Sequence, residues 1–321
     1  MLKIYATPLI GRFFLMVYIF TAMFTPCIGY AYQISIAVIY PDVKPPYNAV
    51  FSQIIEGINQ QLETKINEYP LGDGVDPVAL RKKLDDQNTE VIIALGRRGA
   101  EVAHTLGWKK PIIVGAASLT PSFMDIYEKS ISAIRLTPDP DLLFARLRKF
   151  MPQSQRIIVV TSASKEGWLL SAAYEAAKKH DFELLIHNAS EVRAAAHMYS
   201  VAMDGMHPET DVLWLPPDEE SVDIRGILPV ILQSAWDRHI AVFGSNPAYV
   251  KRGALFSLYP DNLKTGRRLA VIAMNAVKNG DVKILPTQDV LMAVNVRTAE
   301  HLGLGRITKK QQEIDVIYPS Q

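Results

Sequence analysis

From Gln33 onward, short runs of β-branched and aliphatic residues alternate with stretches whose apolar positions recur at helical spacing, the pattern of βαβ units built around parallel sheets. The runs read as strands at residues 34–40, 91–95, 112–116, 131–136, 156–161, 183–187, 211–215, 240–243 and 253–258. Because most of these runs are apolar at successive positions rather than at every second one, they suit strands covered on both faces. Helical patterns lie between them at 50–62, 77–87, 100–106, 140–150, 169–180, 226–236 and 262–278. The expected fold class is therefore α/β.

The first thirty residues break this pattern. Lys3 and Arg12 precede an apolar run from Phe13 to about Phe24, and Gly29-Tyr30-Ala31 places small residues where a signal peptidase needs them. Residues 1–31 thus read as a signal peptide, the mature chain beginning near Tyr32 and acting in the periplasm. Retention as a membrane anchor competes with this, but the run is about a dozen residues against the roughly 20 that span a bilayer. Lipidation at Cys27 is a third option, and Phe24-Thr25-Pro26 before it lacks the small residues that modification requires. Cys27 is the only cysteine. Cleavage after Ala31 leaves no thiol, so no disulfide, cysteine nucleophile or cysteine metal ligand is expected.

The remaining length, about 290 residues, is large for one core and comfortable for two lobes. Lys and Arg number 34 against 33 Asp and Glu; without Lys3 and Arg12 the balance is 32 to 33. Such a near-neutral chain is poorly suited to nucleic acid or to an anionic membrane surface.

Ligands of open parallel sheets bind beyond the carboxyl ends of the strands, so the turns there carry the candidate chemistry. Tyr47 follows the first strand in a proline-rich turn. Gly96-Arg97-Arg98-Gly99 opens a helix whose free N–H groups favour an anion. Ala117 and Ser118 follow the third, and the second half supplies Ser162, Asp218, Ser245 and Asn246. Trp168, Tyr47 and Tyr249 are rings able either to stack on a flat solute or to pack within a lobe. Asp218 is either an amine ligand or a solvated helix-opening acid. The expected ligand-binding set is Tyr47, Gly96, Arg97, Ala117, Ser118, Ser162, Trp168, Asp218, Ser245 and Asn246.

His197, Met198, Met203, Met206 and His207 cluster, but without the regular spacing of a metal site; an amphipathic helix and its following loop account for them. No nucleophile elbow, zinc-type histidine pair, P-loop or full dinucleotide fingerprint occurs, so neither catalysis, a metal nor a cofactor is expected.

The closing third carries a family resemblance. His239 through Ser245, Val250 through Leu258, Gly266-Arg267-Arg268-Leu269-Ala270 and Asn295 through Leu304 are similar to the ABC-transporter substrate-binding proteins that include tryptophan and tyrosine binders. Ile92 through Gly96 and Phe150-Met151-Pro152 add to it. The resemblance implies a type I periplasmic-binding-protein fold, two doubly wound lobes joined by crossover strands that close on a solute. It implies lobe one at 32–134 plus 255–282 and lobe two at 135–254 plus 283–321, with crossings near Arg135, Leu255 and Leu285.

In such relatives an amino-acid carboxylate is held at the turns matching Gly96 and Ser118. This chain departs by placing Arg97 and Arg98 after the glycine and by lacking an Asp-Pro pair after Ala116. The departure shifts the expectation from an aromatic amino acid toward an amino acid-like or anionic solute, since a guanidinium pairs with carboxylate or phosphate. Two placements stay open for the arginines: both on the helix surface in water, or one facing the cleft. The expected role is solute capture for an ABC permease. A sensory subunit docking on a membrane-bound signalling protein is the alternative with the same fold.

Overall fold

The computed structural model describes residues 34–45, 47–62, 66–119, 124, 131–161, 167–189, 192–217, 225–305 and 313–319; the expected export signal over 1–31 with Cys27, and the turn residues Ser162 and Asp218, lie outside them. In chain order the first half runs β1 (Ile36–Pro41), α1 (Asn48–Gln61), β2 (Asn67–Leu71), α2 (Pro77–Asp86), β3 (Val91–Leu95), α3 (Gly96–Thr105), β4 (Ile112–Ala117) and β5 (Ser132–Pro138). It continues through α4 (Pro140–Phe150), β6 (Arg156–Thr161), α5 (Gly167–Lys179), β7 (Glu183–Asn188), α6 (Val192–Asp204), β8 (Asp211–Leu215), α7 (Ile227–Asp237), β9 (Ala241–Gly244), α8 (Pro247–Arg252) and β10 (Phe256–Pro260). The last part is α9 (Asn262–Asn279), β11 (Ile284–Thr287), β12 (Val290–Asn295), α10 (Val296–His301) and β13 (Val316–Tyr318).

Local chemistry sets the helix starts. Asp76, Asp139 and Asn246 each accept a hydrogen bond from the N–H two residues on, and Pro77, Pro140 and Pro247 stand at the first helical position, where no donor is missed. Asp261 and Asn295 cap α9 and α10 in the same way, bonding the N–H three residues on, and Gly280 closes α9 in the left-handed conformation.

The strands form two sheets. One has the order β11-β5-β4-β3-β1-β2 and is wholly parallel; the other has the order β13-β12-β10-β9-β8-β6-β7, with only β10 and β12 antiparallel. Within each, the first five strands follow the order 2-1-3-4-5, a doubly wound sheet with its switch point between the first and third strands. The period-two alternation sends Ala37, Ile39, Ile92 and Ala94 to the α2–α3 face of the first sheet, and Ile36, Val38, Val91 and Ile93 to the face covered by α1 and α9. The second sheet is likewise buried on both faces, around Phe144, Trp214 and Phe243 on one and around Tyr199, Leu213 and Val242 on the other.

Several expected bounds shift. Gly253 ends α8 with φ at 130°, so the strand expected from 253 starts at Phe256. Helix α3 starts at Gly96, four residues earlier than its apolar pattern, because its first turn, Gly96-Arg97-Arg98-Gly99, carries no apolar side chain to reveal it. Strand β2 carries Asn67, Glu68 and Pro70; an edge position exposes one side and tolerates the proline.

Three crossings join the sheets. The chain leaves the first sheet after Pro138, returns to pack α9 against α1 after Pro260, and passes from β11 to β12 over Gln288 and Asp289. Thus β10, within the segment 255–282 expected in lobe one, pairs in the second sheet, and β11, within 283–321, pairs in the first. The crossings are tied together: Asp139 N–H donates to Thr287 O at 2.9 Å, Asp261 N–H to Asp289 O at 2.9 Å, and the Thr287 hydroxyl to Arg135 O. Arg268 of α9 grips the Asp289 carboxylate with two nitrogens, Nη2 to Oδ1 at 3.1 Å.

Candidate functional site

Topology places the candidate turns. Strand β5 reaches its crossing at its carboxyl end, and β3, β4 and β1 run parallel to it; β10 also reaches its crossing at its carboxyl end, with β9, β8 and β6 parallel. The carboxyl ends of both sheets therefore lie on the crossing side, and the turns after them look onto one region between the lobes.

On the first lobe, Gly96 and the Pro41–Tyr47 turn flank the switch point between β1 and β3. Gly96 has φ at 70°, and a Cβ there would meet the Phe51 ring at 3.3 Å and Pro41 Cγ at 3.4 Å. The left-handed backbone and the tight approach together favour glycine at this turn. Tyr47, 72% exposed, stands just before α1. Tyr40, one residue before the end of β1, donates to Glu68 at 3.3 Å; burial first, then the Glu68 and Asp42 carboxylates, raise its phenol above the ordinary value and keep it protonated.

One residue before the end of β4, Ala116 has φ at 52°, a left-handed backbone that a non-glycine residue seldom adopts, and the β4–β5 register shifts between Val114 and Ala117. Past this irregularity Ala117 is buried, Ser118 is exposed, and Ala117 lies opposite Arg135 on β5. Arg135 is half-buried. Its guanidinium carbon sits 4.3 Å from the ring centroid of Trp168, which begins α5 on the second lobe. This contact bridges the two lobes at the strand ends.

The arginines after Gly96 turn elsewhere. Arg97, its side chain 79% exposed, bonds Glu101 one turn along at 2.8 Å; Arg98 bonds Asp73 at 3.1 Å and the Gly72 carbonyl in the loop after β2. Of the second-lobe candidates, Ser245 and Asn246 are half-buried after β9, and the Asn246 side-chain oxygen is engaged by Ala248 N–H at 2.9 Å. Tyr249 is packed in the core instead of at the strand ends. In the His–Met stretch, Met203 is buried and Met198 and Met206 pack against the same cluster.

Of the residues expected from the sequence, Tyr47, Gly96, Ala117, Ser118, Trp168, Ser245 and Asn246 thus stand at strand-end turns, whereas Arg135 was not among those expected. Its signal was present: a lone cation inside the apolar run Ile131-Ser132-Ala133-Ile134-Arg135-Leu136. One surface depression among the described residues lies on the outside of α7, lined by Val230, Gln233 and Arg238, away from these turns.

A family model described as ABC transporter substrate binding protein matches residues 36–310. No curated protein matches the chain. Among solved structures, a substrate-binding protein with adhesive properties from Clostridium difficile, in a ligand-free open form, is similar with a TM-score of 0.63 at 18% identity, over 90% of this chain and 100% of that one. An ABC domain from Streptococcus pneumonia in complex with L-Trp gives 0.52 at 17% identity, over 88% and 100%. A conserved domain protein from Vibrio cholerae gives 0.53 at 16%, over 89% and 99%.

Proposed function

The chain belongs to the ABC transporter substrate-binding protein family, and from that premise we propose that it captures a small solute between its two lobes and hands it to a membrane importer. The fold is of the type I periplasmic-binding-protein kind, and the family is one of binding rather than catalysis. Among the described residues no helix is long and apolar enough to cross a membrane. Residues 1–31 act as the export signal in this reading, and the mature chain works in the periplasm.

The observation that carries the proposal is the convergence of strand carboxyl ends from both sheets on the crossing side, bridged by Arg135 and Trp168. Hinge closure around the tied crossings would bring the Gly96 and Ser118 turns of one lobe against the Trp168 and Ser245 turns of the other. The solute stabilises the closed form by its greater affinity for it. An amino acid-like or anionic compound suits these turns, with small residues for backbone approach and a cation at the seam. The lobes proposed are 34–138 with 262–287, and 140–260 with 290–319.

Screening the mature protein by thermal unfolding tests this. A true ligand at a hundred times its Kd adds about 2.7 kcal/mol to the folded state and raises the midpoint accordingly. Turnover of the bound compound instead of stoichiometric binding would overturn the receptor reading.

A further inference from the structure

We propose that the third crossing is the fixed strut of the hinge and that Arg268 pins it to the first lobe, so that the second lobe turns about the steps 139–140, 260–261 and 289–290. The inference rests on the lobes moving, as the solute-binding reading requires, and adds where they turn and what restrains them. The first two crossings share one design. Strand β5 leads through Pro138 into Asp139 and β10 through Pro260 into Asp261, and each Asp caps the helix that follows. Each also donates its N–H to the third crossing, Asp139 to Thr287 O and Asp261 to Asp289 O, both at 2.9 Å. The third crossing thus receives both of the others, through acceptors two residues apart.

Side chains fasten the strut further, and on the first-lobe side. The Thr287 hydroxyl donates to Arg135 O of β5, and Arg268 holds both carboxylate oxygens of Asp289. Arg268 lies about two turns along α9 from Asp261, on the helix packed against α1 of the first lobe. Asp289 is therefore tied to α9 twice, by its carbonyl at the helix start and by its carboxylate two turns on. The next residue, Val290, already pairs with Pro260 in the second sheet. The change from one lobe to the other falls within a single step of the chain. Pro140 and Pro260 have φ fixed by their rings at two of the turning steps, whereas Gln288, Asp289 and Val290 carry no such restraint. Rotation at the third crossing is limited by hydrogen bonds and by the Arg268 pair instead. With the two side chains 39% and 22% exposed the pair is partly screened, so its loss should raise the released fraction of the crossing roughly fivefold.

The chain after Ala31 has no cysteine, so spin labels can be placed in the mature protein at exposed sites. Val78→Cys with Val230→Cys reports across the lobes, and Val78→Cys with Val282→Cys reports within the first. Measured by double electron–electron resonance without solute, Arg268→Gln should broaden the distance distribution between the lobes and leave the one within the first lobe unchanged. Hydrogen exchange of the Asp261 N–H should quicken roughly fivefold, because its rate follows the open fraction. Asp289→Asn should do the same, and the double variant no more than either single change. Arg267→Gln removes the neighbouring cation, which bonds Gln60 at 2.5 Å instead of the crossing, and should match wild type. An unchanged interlobe distribution or unchanged Asp261 exchange in Arg268→Gln overturns the inference. Equal broadening within the first lobe also overturns it, since the pair would then be ordinary lobe packing, as does an equal effect from Arg267→Gln. Should Arg268→Gln fail to fold, Asp289→Asn and Arg268→Lys are read by the same criteria. None of these outcomes touches the receptor reading, which stands or falls on solute binding by the wild-type protein.

Discussion

Helices α1 and α9 cross at Gly57 and Gly266, and this crossing attaches the returning chain to the first lobe. An added Cβ on Gly57 would lie 2.0 Å from Leu263 O and 2.9 Å from its carbonyl carbon; one on Gly266 would lie 2.0 Å from Ile54 O and 3.0 Å from Gly57 Cα. All of these are backbone atoms, so no side chain can swing aside. Relief requires the helices to part by about 1 Å, and a gap of that size forfeits a quarter to a half of each contact it opens. Gly57→Ala should cost about 1–3 kcal/mol through overpacking, with the upper part of that range expected because backbone must move. Alanine returns about 0.8–1 kcal/mol of helix propensity. The net expectation is a loss of about 2 kcal/mol, read as a lower urea midpoint for the first lobe. Gly167→Ala, where a Cβ meets nothing within 4 Å, serves as the control and should be neutral or slightly stabilising. Because one separation relieves both clashes, Gly57→Ala with Gly266→Ala should cost less than the sum of the two. Single variants as stable as wild type, or strict additivity, would refute the close crossing as the source of this attachment.

Two further outcomes follow from buried polar groups. Burial pushes the Asp211 carboxyl up, but the Arg156 guanidinium, the His207 N–H and the Thr210 hydroxyl together hold it below its ordinary value. The stability it contributes is thus fully present above the ordinary carboxylate pKa of about 4 and is lost as pH falls through the lowered native value. Asp211→Asn should cost about 2 kcal/mol at pH 7, less than a fully buried pair since Arg156 remains one-third exposed, and acid unfolding curves should show wild type and variant converging below about pH 4. Asn295→Ala should cost about 1–3 kcal/mol by chemical unfolding, because the side chain accepts from Thr298 N–H at 3.1 Å and donates to Val250 O at 2.9 Å in a buried setting; a loss within error of zero would contradict that.

The elements most readable in the sequence are those buried on both faces. Residues 91–95 and 212–215 are apolar throughout, and their strands, the second opened by Asp211, have the expected bounds because nothing competes with the pattern. Strand β2 escaped because its exposed edge lets Asn67, Glu68 and Pro70 break the run. Strands β11 and β13 are short and partly exposed, and their partners lie far away in sequence or across a crossing, so pairing rather than local preference makes them strands. At the site, sequence gives residue type and spacing but not side-chain direction. Glu101, four residues after Arg97, is the feature that draws Arg97 along its helix, and it is visible in the sequence once an ion pair at that spacing is considered. The left-handed Ala116 and the meeting of Arg135 with Trp168 depend on strand register and on the crossings, which no local pattern reports.

The central claim, that two lobes close on a solute, is tested most directly by small-angle X-ray scattering of the mature protein with and without its best-binding solute at saturation. Closure predicts a smaller radius of gyration at one solute per chain. Saturating solute that leaves the radius unchanged would contradict it.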